Sequence, residues 1–153
     1  LNSHVYALSP EPNETNRGDN RNYSRHYRQR LRAEVLADAI CDITETTTGY
    51  SGTSTGTRAM QLWTVRTESE LLDAFGRPDP NQDPPCERIP ESTVVQALHL
   101  MNAPAIASKI TDENGRCKRL AASDLSPEKL IEDLYLASFS RFPDPNEIGR
   151  AHV

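Results

Sequence analysis

Apolar residues along this chain recur at steps of three and four far more often than in alternation, so helices dominate the expected structure. From Tyr23 to about Thr44, the positions Tyr27, Leu31, Val35 and Ala39 return every four residues, flanked by Leu36, Ile40 and Ile43. That stripe predicts one amphipathic helix of about 20 residues. The run "TETTTGYSGTSTGT" ends it as a loop, since Gly and Thr at that density bury too little to pack tightly. Arg58 to Trp63 alternates and reads as an irregular extended stretch lying on helices. Thr67-Glu68-Ser69-Glu70 has the spacing of a capping box that opens a short helix through Leu71, Leu72 and Phe75. Gly76 can end that helix in a left-handed conformation, and Pro78 forbids its continuation.

Glu91-Ser92-Thr93 predicts the next start, with Val94, Val95, Leu98 and Met101 as the buried side. Asn102 and Pro104 break that helix. Ile106, Ala107 and Ile110 mark another short one ending before Gly115, and Arg116 to Ala122 adds a turn or two. Ser126-Pro127-Glu128 is a start signal, a cap followed by Pro at the first helical position. The amphipathic run Leu130, Ile131, Leu134, Tyr135 and Ala137 carries that helix to about Phe139. Asp144-Pro145-Asn146-Glu147 repeats the start logic. Residues 1–22 lack periodicity: a small patch of Val5, Tyr6 and Leu8 precedes the turn-rich "SPEPNETNRGDNRN". The expected fold is mainly α, an irregular multi-helix domain with long Pro/Gly-rich connectors and little or no sheet. An irregular N-terminal strap spans 1–22 and the helical domain spans 23–153.

Composition adjusts this picture in three ways. The chain has 153 residues, about one domain. Its apolar share of 36% is low against roughly 45–50% for globular domains, which fits one core with long polar connectors. The net charge of -5 is too mild to imply a polyanionic partner. No apolar run is long enough to span a membrane. The chain opens on Leu1 and stops at Ala151-His152-Val153, only a few residues into a helical pattern, so it is expected to be cut from a longer protein. Cys41, Cys86 and Cys117 have neither the spacing of a zinc knuckle or redox pair nor a haem-attachment motif. Cys41 is expected to be a buried thiol on an apolar face, and a Cys86–Cys117 disulfide is the alternative use of the other two.

Three constellations could carry chemistry. Arg17, Arg21, Arg25, Arg28, Arg30 and Arg32, interleaved with Tyr23, His26 and Tyr27, have the composition of a nucleic-acid surface. The acidic balance and the apolar stripe oppose that, and favour solvated faces and ion pairs, with a carbohydrate or anion surface as a lesser alternative. Glu34 and Asp38 lie one helical turn apart, as a metal pair or an acid and base would. Metal sites of that kind add a matching His, and His26 and His99 are isolated, so a structural role is expected: Glu34 gripping an arginine or an amide. Arg30 and Glu34 are spaced as a helical ion pair. Cys86-Glu87-Arg88 places a thiol near a cation and a helix start, the minimal setting of a reactive cysteine. The structural reading is a stiff connector, "LLDAFGRPDPNQDPPCER". In it Phe75 buries, Gly76 turns, Pro78 and Pro84-Pro85 stiffen, and Arg77, Glu87 and Arg88 pin the strap to helices. No phosphate-binding Gly loop, nucleophile elbow or zincin motif occurs.

The strings "NYSRHYRQRLRAEVLADAI", "GTRAMQL", "ELLDAFGRP", "CER", "QALHLMNAPAIASKI" and "LIEDLYLASFSRFPDPNEI", in this order, resemble the C-terminal region of domain of unknown function 1553, a family abundant in planctomycetes and related bacteria. The resemblance runs from Asn22 onward. It implies a domain that ends a large exported protein, with a domain of unknown function 1549 and often a planctomycete-type cytochrome c domain upstream. It therefore implies an extracytoplasmic setting, and haem, if any, in an upstream domain rather than a cofactor or metal here. The family brings no established catalytic residues. Its connector often reads Cys-x-Cys-Glu-Arg; Pro84 stands at the first of those cysteines, which counts against an obligatory cysteine pair. The implied role is a structural or interaction module supporting an upstream redox or hydrolytic domain. Two alternatives remain. Arg30, Glu34, Asp38, Glu87 and Arg88, with Cys86 as a candidate nucleophile, could line an enzyme site for extracellular polysaccharide; or the Arg17–Arg32 segment could bind nucleic acid.

Overall fold

The computed structural model describes residues 3–79, 81 and 93–151. Cys86, Glu87, Arg88 and the Pro84-Pro85 pair lie outside the described residues. Two compact units divide the chain, residues 1–30 and 31–153. In the first, the 3-10 helix His4–Ala7 is capped by Ser3, and the turns that follow are held by short-range bonds. Asn13 Oδ1 accepts the amides of Thr15 and Asn16, and Asp19 accepts those of Arg21, Asn22 and Ser24. The Ser24 hydroxyl also donates to Asp19, which holds that carboxyl far below its ordinary range.

These local bonds explain why the first long helix, α1 (Ala33–Thr44), begins ten residues later than the apolar spacing predicts. Side chains that satisfy nearby amides offer the backbone an alternative to the helical ladder. Tyr23 sits in the left-handed region, φ 53°, with its N–H donated to the Tyr27 hydroxyl at 3.0 Å. The expected stripe was accordingly out of phase, and Leu31 is exposed. The face of α1 that is buried carries Ala33, Ala37, Asp38 and Thr44. Arg30 lies ahead of α1 rather than on it.

The core gathers Ala33, Ala37, Tyr50, Ala59, Leu72 and Phe75, with Leu36, Leu62, Leu71 and Ala74 packed against it. Its three alanines let backbones approach closely, while Leu72, Phe75 and Tyr50 supply the apolar volume. Arg58–Trp63 is not extended: Ala59–Gln61 forms a 3-10 turn that rests on α1. No strand occurs among the described residues, and the chain is mainly α.

α2 (Glu70–Ala74) starts at Ser69, whose hydroxyl accepts the Leu72 amide at 3.4 Å. The expected cap Thr67 is instead buried, and its carbonyl accepts from Arg77. The end of α2 follows the sequence closely. Gly76 has φ 78°, its N–H donates to the Asp73 carbonyl at 3.2 Å, and the Arg77 N–H donates to the Leu72 carbonyl at 3.0 Å. That pair of bonds is a complete Schellman motif.

α3 (Val94–Asn102) opens on a capping box between Thr93 and Gln96. Its expected buried side is on the surface: Val94, Val95, Leu98 and Met101 are exposed, and Gln96 is buried. The Gln96 amide accounts for this, because it accepts the Thr93 N–H and donates to the Ala74 carbonyl at the end of α2, turning the polar position inward. α4 (Pro104–Ile110), α5 (Arg116–Ala121), α6 (Pro127–Phe139) and α7 (Pro145–Ala151) start and stop near the expected residues. α1 packs against the 3-10 turn, α2, α4, α5 and α6, and so forms the hub of the second unit.

Replacing Leu72, which is fully buried, with Ala should cost about 2–5 kcal/mol of unfolding free energy. Gly76→Ala should cost roughly 1–2 kcal/mol through its left-handed backbone. Urea denaturation of both variants checks this; wild-type stability for Gly76→Ala contradicts the Schellman assignment.

Candidate functional site

Asp38 is the polar group at the centre of the second unit. Its carboxylate points from the buried face of α1 at the start of the 3-10 turn, accepting the Ala59 amide at 2.7 Å and the Met60 amide at 3.2 Å. Helix-type N-termini leave amides without internal partners, and a carboxylate there also meets the positive end of the backbone dipoles. Arg58 Nε approaches the same carboxylate at 3.5 Å while its two terminal nitrogens grip Asp42 at 3.0 and 2.7 Å. That bidentate clasp holds the Asp42 carboxyl below its ordinary value and the Arg58 guanidinium above its own. Both Asp38 oxygens are therefore engaged in holding the loop that returns to α1.

Glu34 lies one turn earlier on α1. It lines a cleft of about 190 Å³ together with Arg32, Leu62, Leu72, Arg77 and Trp63, the last 87% exposed. Arg77 is buried, with Nη1 on the Thr67 carbonyl at 2.5 Å and Nη2 on Asp73 at 2.6 Å. Phe75, Gly76 and Pro78 are buried beside it. Of the candidate residues, the structure brings Glu34 and Arg77 to one cleft, spends Asp38 on amides, and places Arg30 in the other unit. Among the described residues that line the cleft, Glu34 is the one carboxylate. Among the described residues no group of three His, Cys, Asp or Glu side chains could hold a metal.

Two further clusters escaped the sequence reading. Glu45 follows α1 in the left-handed region, φ 57°, and the Thr46 amide reaches back to the Cys41 carbonyl at 3.0 Å. An L residue there carries a steric cost of roughly 1–2 kcal/mol. The Glu45 carboxylate meets Arg119 at 2.8 Å and Arg116 at 3.0 Å, and the Arg119 contact chiefly lowers its pKa. Arg116 also donates from Nε to the Ile43 carbonyl at 2.7 Å and pairs with Asp133 at 3.3 Å, which ties α1, α5 and α6 together. Gly115 precedes it because a Cβ there would stand 3.1 Å from the Thr44 carbonyl oxygen.

The second cluster is Lys109, whose amine reaches the Thr47 carbonyl at 2.9 Å, Thr46 Oγ1 at 3.1 Å and Cys41 Sγ at 3.4 Å. Cys41 thus differs from the expected apolar thiol: it is only half-buried and polar-bonded, with Thr48 Oγ1 at 3.3 Å. Cys117 is a free thiol as well. Only the Gly115-Arg116 pair left a local trace in the sequence; the Glu45 and Lys109 contacts join residues more than sixty positions apart.

The sequence profile of PSD1, a protein of unknown function (DUF1553), matches residues 1–153, and the chain belongs to that family. No curated protein and no solved structure matches it.

Asp38→Ala should leave two amides without partners and cost about 1–3 kcal/mol for each buried group unsatisfied. Asp42→Asn, at an exposed pair, should cost at most about 1 kcal/mol. Thermal melts of the two variants should differ in that order; equal losses would sink the assignment. The pH response has a definite sign. Arg141 and the Asp144 amide lower the Glu147 carboxyl from 4.5 to about 2. A carboxyl lowered on folding stabilises above its unfolded pKa, and that stability is lost as pH falls through the folded value. The melting temperature should therefore drop between pH 4.5 and 2, and less so in Glu147→Gln. At the alkaline end, burial raises the Tyr50 phenol from 10.0 to about 12. Ultraviolet titration should find a late-ionising tyrosine that is missing in Tyr50→Phe.

Proposed function

We propose that this chain is a non-catalytic module that packs against another domain of a larger exported protein. The observation that carries this is the open face of α3. Val94, Val95, Leu98 and Met101 have the spacing of a buried helical side, yet are 75%, 66%, 51% and 79% exposed. Phe139 and Phe142, around the end of α6, are 63% and 66% exposed. Contiguous exposed apolar side chains mark interaction surfaces. The polar groups point the same way, since Asp38, Arg58, Arg77, Glu45 and Arg116 are occupied in holding helix ends and loops. Among the described residues, no helix is long and apolar enough to cross a membrane.

The family resemblance supports the setting: an extracytoplasmic protein of planctomycete type, whose upstream domains, which in the family often include a cytochrome c domain, are the surface this module covers. The competing reading, a contribution to an enzyme site for extracellular polysaccharide, keeps Glu34 in its cleft beside Trp63 as its described carboxylate.

Hydrogen exchange on the protein expressed from its complete gene, compared with the 153-residue chain alone, tests the docking. Amides of α3 and of the end of α6 should be protected in the complete protein. Identical exchange in both would end the proposal. Turnover of an extracellular polysaccharide by the chain alone, abolished in Glu34→Gln, would establish the enzymatic reading instead.

A further inference from the structure

The first unit holds a cavity of about 440 Å³ lined by Tyr6, Tyr23, His26, Tyr27, Gln29 and Ser3. From the chemistry of this cavity we infer that it is a carbohydrate-binding site for one or two neutral sugar rings of a chain. This inference goes beyond the docking role and uses a different unit.

The ring faces are available. Tyr6 is 60% exposed and Tyr23 55% exposed. They are also fixed in place. Tyr23 and Tyr27 stack at 5.0 Å, the Tyr23 amide is tied to the Tyr27 hydroxyl, and Asp19 clamps the turn before them through three amides. The His26 amide donates to the Ser9 carbonyl, which closes the loop on itself. Rigid tyrosines give broad contact area at low entropic cost.

The lining chooses the ligand. The described lining combines tyrosine rings with phenol hydroxyls, an imidazole, a carboxamide and a serine hydroxyl, as a sugar requires: an apolar face for its C–H groups and polar partners for its hydroxyls. Tyr6 and His26 meet at 46°, so these two rings form no parallel slot for a flat base. No carboxylate is among the described lining residues, and the Arg25 guanidinium lies 5.1 Å from the centre of the Tyr27 ring. A cage for an organic cation would need the opposite charge.

Titration calorimetry and tyrosine ring resonances of the full chain, with cellohexaose, xylohexaose, mannohexaose and a twelve-residue oligothymidylate, test the inference. At least one hexasaccharide should bind, and Tyr6→Ala should weaken it at least about tenfold, near 1.4 kcal/mol. Tyr6 is exposed, so that variant should keep the wild-type melting temperature, and Tyr23→Phe should retain most of the affinity. Failure of all three sugars to bind, or sugar binding that survives Tyr6→Ala, overturns the site. Binding of the oligothymidylate alone, weakening steeply with salt, would reassign the segment to nucleic acid.

Discussion

The contact on which the second unit depends is the carboxylate of Asp38 against the amides of Ala59 and Met60. The loop between α1 and the 3-10 turn is mostly Thr, Gly and Ser, with Tyr50 as its one large apolar side chain, buried in the core. What returns it to α1 is a charge-assisted bond to two free amides, reinforced by the Arg58 clasp on Asp42. Once Ala59 is drawn onto Ala33 and Ala37, Tyr50, Leu72 and Phe75 close the remaining volume. A buried carboxylate is tolerated because every oxygen finds a donor.

The same device recurs where helices meet. Arg77 stops α2 and holds the Thr67 carbonyl; Arg116 covers the Ile43 carbonyl at the end of α1 and reaches α6 through Asp133. Arginine suits these posts because its planar fork can serve a carbonyl and a carboxylate together. The result is a small framework in which Asp38, Arg77 and Arg116 hold helix ends and loops, while several large apolar side chains stand exposed on α3 and near the end of α6. This arrangement directs attention to its surfaces.

Much of the fold was legible because helix ends are local. Pro127 at the first position of α6, Gly76 after α2 and the Asp144–Glu147 start of α7 are decided by residues within one turn. Phasing was not legible. The four-residue recurrence of Tyr27 and Leu31 mimicked a helix, while Tyr23 turned left-handed and the His26 amide, which would make the first bond of such a helix, went to the Ser9 carbonyl. Val94, Val95, Leu98 and Met101 gave a correct helix and an incorrect buried face, since Gln96 found its partner on the preceding helix. For the candidate site, the spacing of Glu34 and Asp38 was visible, but not that one faces a cleft and the other two amides. Cys86, Glu87 and Arg88 lie outside the described residues.

The sequence by itself determined the mainly helical class, most helix ends and the family, because caps, turns and ordered motifs act over a few residues. The tertiary structure alone decided which face of α1 and α3 is covered, where Asp38 and Arg116 find partners, and that four ring-bearing residues of the first unit surround one cavity. Those outcomes depend on groups brought together across many residues of chain, and no periodicity encodes such meetings.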